Sequence, residues 1–165
     1  MRKLRKPGSA GLAGLVLFVV VACGGGGTAQ PAAVSTPTCV NAAAPHRAHV
    51  VVAHVAGAAI DRCVGFTTDK VAAADLMAAS GIDFKTQHFS FGDAACAIDG
   101  EPKSFDTCLP QGAPYWALWT ATAGGPWQMA QTGYADVKLG DGDALGWRYT
   151  PQSETNPSPP PPAKK

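Results

Sequence analysis

Residues 49–66 read HVVVAHVAGAAIDRCVGF, and the fold expectation grows from this stretch. His49 to Val55 is rich in β-branched residues, and Ala56-Gly57-Ala58-Ala59 is small enough to turn. From there Ile60, Arg62, Val64 and Phe66 alternate against Asp61, Cys63 and Gly65. Period-two alternation on either side of a small-residue turn predicts two paired strands. Thr67 or Thr68 then offers an N-cap oxygen, Asp69 suits the positive end of a helix, and Val71 to Ala79 is rich in Ala. A helix is expected there, stopping at Ser80-Gly81, where glycine takes the left-handed conformation and Ile82 folds back on Leu76 or Met77.

Toward higher numbers, short apolar runs alternate with turn residues. Phe84 to Phe91, Ala94 to Ile98, Tyr115 to Thr120, Trp127 to Gln131, Tyr134 to Leu139 and Gly146 to Thr150 are strand candidates. Asp99-Gly100, Gly124-Gly125-Pro126, Gly133 and Gly140-Asp141-Gly142-Asp143 punctuate them. One helix against a mixed or mostly antiparallel sheet predicts an α+β domain over residues 46–150. Residues 151–165, PQSETNPSPPPPAKK, hold six prolines and little that could be buried, so a disordered, extended proline-rich tail is expected.

Toward lower numbers the chain changes character. Arg2, Lys3, Arg5 and Lys6 precede an uncharged stretch from Pro7 to Ala22, and Ala22 immediately precedes Cys23. This is the layout of a secretory signal peptide over residues 1–22, and the stretch is shorter than the roughly 20 residues a helix needs to cross hydrocarbon. Val20-Val21-Ala22-Cys23 resembles a bacterial lipobox, which implies a diacylglyceryl group on Cys23 and a membrane-anchored, extracytoplasmic lipoprotein. Residues 23–45, beginning with Gly24 to Gly27, read as a flexible tether. Plain cleavage after Ala22 with release of a free exported protein is the alternative; plasma and outer membrane are not distinguished.

Export gives the remaining cysteines their meaning. Cys39, Cys63, Cys96 and Cys108 are an even set without a C-x-x-C pair, which suits two disulfides better than a metal site. Three connectivities are open. Cys39 with Cys63 and Cys96 with Cys108 are favoured, because each closes a segment that reads as a hairpin or its approach. On the loop-entropy model these closures contribute about 3.5 and about 3 kcal/mol respectively.

Charge narrows the partners. The formal net charge is +1, but without the four cations of residues 2–6 nine basic side chains face twelve acidic ones, a balance of −3. Nucleic-acid binding is therefore not expected.

Three further stretches carry a family resemblance. They are FGDAACAIDG at residues 91–100, YWALW at residues 115–119, and Val137 followed by Gly140-Asp141-Gly142-Asp143 and Gly146-Trp147-Arg148-Tyr149. In order and spacing they resemble the transcobalamin-like C-terminal domain family over residues 49–150. The resemblance implies a β-grasp-like fold, with a hairpin, a helix across the sheet and further strands, and cobalamin or another corrinoid as a planar ligand. The carriers of that family pair this domain with a large helical barrel for which 165 residues leave no room, so tight corrin binding by this chain alone is not expected.

Seven of the 13 aromatic residues, including all four tryptophans, fall between Tyr115 and Tyr149. Strand alternation puts Trp116 and Leu118 on one face and Tyr115, Ala117 and Trp119 on the other, with Trp147 sharing a face with Tyr149. One set fills the core, and the other leaves an open-face patch on which a planar ligand, a sugar or a partner chain can stack. Trp119, Trp127 and Tyr134 are the candidate contacts. His49 and His54 have opposite parity on one strand, so no metal site is expected from them, and Asp141 and Asp143 read as a turn rather than a calcium loop. No catalytic motif is found, so the expected function is a non-enzymatic binding domain. A protein-interaction or envelope-assembly module and a purely structural surface domain are the alternatives.

Overall fold

The structure, a computed structural model, describes residues 39–164. The expected signal peptide, Cys23 and the tether up to residue 38 lie outside the described residues. The described chain runs β1 (His46–Ala53), β2 (Ile60–Phe66), β3 (Val71–Ala72), α1 (Ala73–Ser80), β4 (Phe84–Phe89), β5 (Gly92–Ile98), β6 (Tyr115–Ala121), β7 (Gln128–Met129), a 3-10 turn (Tyr134–Asp136), β8 (Lys138–Leu139) and β9 (Ala144–Thr150). Five strands form one sheet in the order β2-β1-β9-β6-β7, while β3 pairs with β8 and β4 with β5 in two small sheets.

The expected α+β class is corrected by this content. Among the described residues about 40% are in strands and 9% are helical, so this part of the chain is mostly β, with several sheets and one eight-residue helix. The helix is shorter than expected because Val71 and Ala72 are taken into a ladder with Leu139 and Lys138. Thr68 does not cap it either: its hydroxyl donates to the Lys70 carbonyl at 2.7 Å, and Ala72 stands at the N-cap without a side-chain bond. The other end follows expectation. Gly81 sits at φ 71°, and Ile82 joins Leu76 and Met77 in the core.

Alternation decides the two faces of the large sheet. Ala48, Val50 and Val52 of β1, Val64 and Phe66 of β2, Leu145 and Trp147 of β9 and Trp116 of β6 share the core with Ala73, Leu76 and Met77 of the helix. Fully burying side chains of this size contributes about 1.5–3 kcal/mol each before conformational entropy is subtracted. The pairing β1–β2 is the expected antiparallel hairpin, with Val52 opposite Ile60 and His46 opposite Phe66. The central pairing β1–β9 is parallel, with Val51 opposite Gly146.

Both disulfides link the favoured partners, Cys39 with Cys63 and Cys96 with Cys108. They fit an oxidising, extracytoplasmic compartment. Among the described residues no helix is long and apolar enough to cross a membrane.

Candidate functional site

The face of the large sheet opposite the helix is built from small residues. Ala53, Ala117, Ala121, Ala144 and Gly146 leave it low, and one row crosses it at a single level: Trp119 lies opposite Gly146, Gly146 opposite Val51, and Val51 opposite Asp61. Val51 is only 1% exposed although it points away from the helix.

Residues 151–164, expected to extend as a tail, carry no helix or strand and run back over this row. A β-carbon on Gly146 would stand 2.6 Å from Cγ of Pro160 and 2.8 Å from Cζ3 of Trp127, so both rings rest where a side chain would be. Trp127 Nε1 donates to the Pro161 carbonyl at 3.3 Å, and the Lys164 backbone N–H donates to Asp61 Oδ2. From β9 to β2 is two inter-strand spacings, about 10 Å, and four residues in an extended proline helix reach about 12 Å, so the segment crosses the strands nearly at right angles. Pro160 is buried beneath it.

A groove of about 740 Å³ opens between this segment, the loop after β6 and the start of β1. Trp127 forms part of its wall, Arg47, His49 and Lys164 bring basic groups to it, and Asp141 is its acidic member. His49 does not stand free: its Nδ1 lies 2.9 Å from Asp61 Oδ1, and that carboxylate is 5% exposed. A carboxylate this sheltered requires polar partners, and it finds them in the imidazole and the Lys164 amide. The pair therefore clasps residues 160–164 to the sheet.

Of the three expected contacts, the structure brings two to this face and removes the third. Trp119 lies in the row at 7% exposure, with Nε1 buried and without a hydrogen-bond partner. Trp127 is half-buried beside it in the groove. Tyr134 is on the other side of the sheet, in the core, 5.2 Å from the Phe84 ring and 6.0 Å from the Trp147 ring. Its expected strand is a 3-10 turn, which swings the ring under the helix instead of along a sheet face. The three residues do not form one platform.

A second polar cluster, not anticipated from the sequence, sits past the end of β1. His54 Nδ1 lies 2.7 Å from Glu101 Oε2 and its Nε2 3.3 Å from Asp99 Oδ2. Both ring nitrogens thus face carboxylates. Asp99-Gly100 makes the tight turn that places these carboxylates, with φ 49° and 74° and reciprocal bonds between Ile98 and Glu101. Trp116 Nε1 donates to the Glu101 carbonyl at 3.0 Å, and Tyr149 lies 4.9 Å from the Trp116 ring. Burial, and then the Glu101 charge, raise the Tyr149 phenol above its ordinary 10.0. Trp116 and Tyr149 border a smaller groove of about 380 Å³ beside the second disulfide. A clue was present in the sequence, since Asp99-Gly100 followed by Glu101 is a turn that projects two acids, but nothing local says that His54 meets them.

Asp141 and Asp143 are occupied by the backbone. Asp141 accepts from the Arg47 N–H at 2.7 Å, and Asp143 accepts from Gly140 at 2.7 Å and Ala123 at 3.1 Å. Among the described residues no group of three or more His, Cys, Asp or Glu side chains is arranged to hold a metal.

No family model and no curated protein matches the chain. Among solved structures, the chain is similar to one from Ruminococcus gnavus ATCC 29149 described as "a putative metal binding protein", at 19% identity and a TM-score of 0.46, covering 64% of this chain and 97% of that one.

Proposed function

We propose that the protein is a non-enzymatic, extracytoplasmic binding domain, held to a membrane through a lipidated Cys23, that takes a small planar ligand in the groove beside Trp127. The observation that carries this reading is the groove itself. Its volume of about 740 Å³ falls within the roughly 300–1,000 Å³ of small-molecule sites, and one aromatic wall with a few basic groups is the usual composition of such a site. A planar ring can stack on the indole while an amide, carboxylate or phosphate substituent meets Arg47. A corrinoid is the ligand class that the sequence resemblance to the transcobalamin-like family suggests. The resembling residues Trp116 and Tyr149 border the smaller groove rather than this one, so the ligand's position relative to the two grooves is part of the test.

The mature chain is titrated with cobalamin while tryptophan emission is followed, corrected for absorption by the corrin. Saturable quenching in the micromolar range, abolished by Trp127→Ala and weakened by Arg47→Ala, is the expected result. Quenching that survives Trp127→Ala but is lost with Trp116→Phe would move the site to the smaller groove. No saturable response up to millimolar ligand would end the planar-ligand reading. Retention of the protein in the detergent phase through a Cys23-linked diacylglyceryl group tests the anchor.

A further inference from the structure

The row Trp119–Gly146–Val51–Asp61 accepts proline in this structure, and the reasons are chemical. Proline has no N–H, so a proline run presents only carbonyl acceptors and apolar rings. The face offers the complement. Gly146 supplies a floor on which the Pro160 ring sits, and Trp127 Nε1 donates to the Pro161 carbonyl. Two further donors belong to the same face: Trp119 Nε1 and Arg148 Nε are buried without a hydrogen-bond partner. Arg148 of β9 lies opposite Ala117 and Trp119 of β6 opposite Gly146, so the two stand diagonally across the β6–β9 pair, two residues apart along the strands. A buried N–H without an acceptor is costly, and residues 159–162 leave both of these unmatched.

We propose that this face is a receptor for a strand in the polyproline conformation, that residues 159–162 fill it in cis, and that a proline-rich segment of a partner polypeptide takes their place. The partner's advantage lies in the two idle donors, which its additional carbonyls can satisfy. Such a ligand is already extended before binding, so little conformational entropy is lost on docking. The cis segment competes from an effective concentration in the millimolar range because it is covalently attached. It therefore excludes weak or chance ligands and yields only to a better-matched strand. This inference does not rest on the planar-ligand reading.

The test compares the natural chain with a variant in which Pro159, Pro160, Pro161 and Pro162 are all replaced by serine. The probe is a synthetic peptide with the sequence of residues 154–164. Calorimetry is expected to show binding to the variant at least about tenfold tighter than to the natural chain, since the attached competitor is gone. Trp127→Phe in the variant background, which removes one N–H donor, is expected to weaken binding about fivefold. A peptide with its prolines changed to alanine should not bind. Should the serine variant fail to fold, the natural chain, isotope-labelled and exposed to millimolar peptide, is expected to show changes in the Gly146 amide and in the indole N–H signals of Trp119 and Trp127.

Equal affinity of the two chains, indifference to Trp127→Phe, or unchanged signals at these positions would overturn the proposal. A concentration-dependent dimer of the natural chain that disappears in the serine variant would also overturn it, in favour of exchange of this segment between copies. A protein that ignores cobalamin yet binds the peptide would remove the planar-ligand reading and leave this one standing.

Discussion

Trp127 stands on Gly146. The distal edge of the indole comes so near the strand that a β-carbon at position 146 would lie 2.8 Å from Cζ3 and 2.9 Å from Cη2, and the Pro160 ring closes the other side at 2.6 Å. Gly146 does not have a positive φ, so its role is space rather than backbone freedom.

Gly146→Ala is accordingly expected to act through steric exclusion alone. The methyl group displaces Trp127 and Pro160, destabilises the protein by about 1–3 kcal/mol and shifts tryptophan emission toward that of an exposed indole. Urea unfolding together with fluorescence checks both effects. An unchanged midpoint and spectrum would mean that the two rings do not rest on this glycine in solution.

The two disulfides contribute separately. Replacing Cys39 and Cys63 together by serine is expected to cost about 3.5 kcal/mol, and replacing Cys96 and Cys108 about 3 kcal/mol, on the loop-closure argument. The first pair ties residues 39–44 over β2, where the Gly65 N–H donates to the Val40 carbonyl at 2.7 Å, so its loss should also speed exchange of the Gly65 amide. Denaturant titration and hydrogen exchange of each double variant give the comparison.

Glu101 ties its own turn to two other parts of the chain. Its carboxylate meets His54 Nδ1 at 2.7 Å and accepts the Val55 N–H at 3.3 Å, while its carbonyl accepts from Trp116. Glu101→Ala removes the acceptor of the part-buried His54 ring and of the exposed Val55 N–H and is expected to lower stability by about 1–3 kcal/mol, whereas Glu101→Gln, which keeps an acceptor oxygen, should cost less. Equal losses in the two variants would show that packing, not hydrogen bonding, is what Glu101 supplies.

Tyr149 makes the stability depend on alkaline pH. Burial and the Glu101 charge hold its phenol above the ordinary 10.0, so the folded chain keeps a proton that the unfolded chain releases near that value. Between those two points the folded state binds more protons, and the unfolding free energy falls as pH rises; below the ordinary value nothing is lost. Tyr149→Phe is expected to remove this alkaline decline, and Glu101→Gln to lower the Tyr149 transition in the ultraviolet difference spectrum of tyrosinate. A decline that persists in Tyr149→Phe would assign it to another group.

How much of this was legible in the sequence follows from the range of each interaction. The β1–β2 hairpin, the Gly81 stop and the opposed faces of Trp116 and Trp119 are readable, because period and turn chemistry act over short stretches, while the cysteine pairings are the favoured choice among three connectivities that the sequence leaves open. The helix starts later than its local sequence suggests because β8, more than sixty residues away, draws Val71 and Ala72 into a ladder that outweighs a potential threonine cap. Of the three clustered aromatics, Trp119 and Trp127 share the face that strand alternation suggests, whereas the placement of Tyr134 depends on a 3-10 turn within a run that reads as strand.

The sequence by itself determined which side chains share a face, since alternation is a property of the backbone and needs no partner. Only the tertiary structure decided which strands lie side by side and what covers the face away from the helix. The parallel pairing of β1 with β9 joins segments almost a hundred residues apart, and a proline run has neither a hydrophobic period nor backbone donors to announce where it will lie. Its place over Gly146 depends on Trp127, Asp61 and a floor without side chains, which come together only when the sheet has formed.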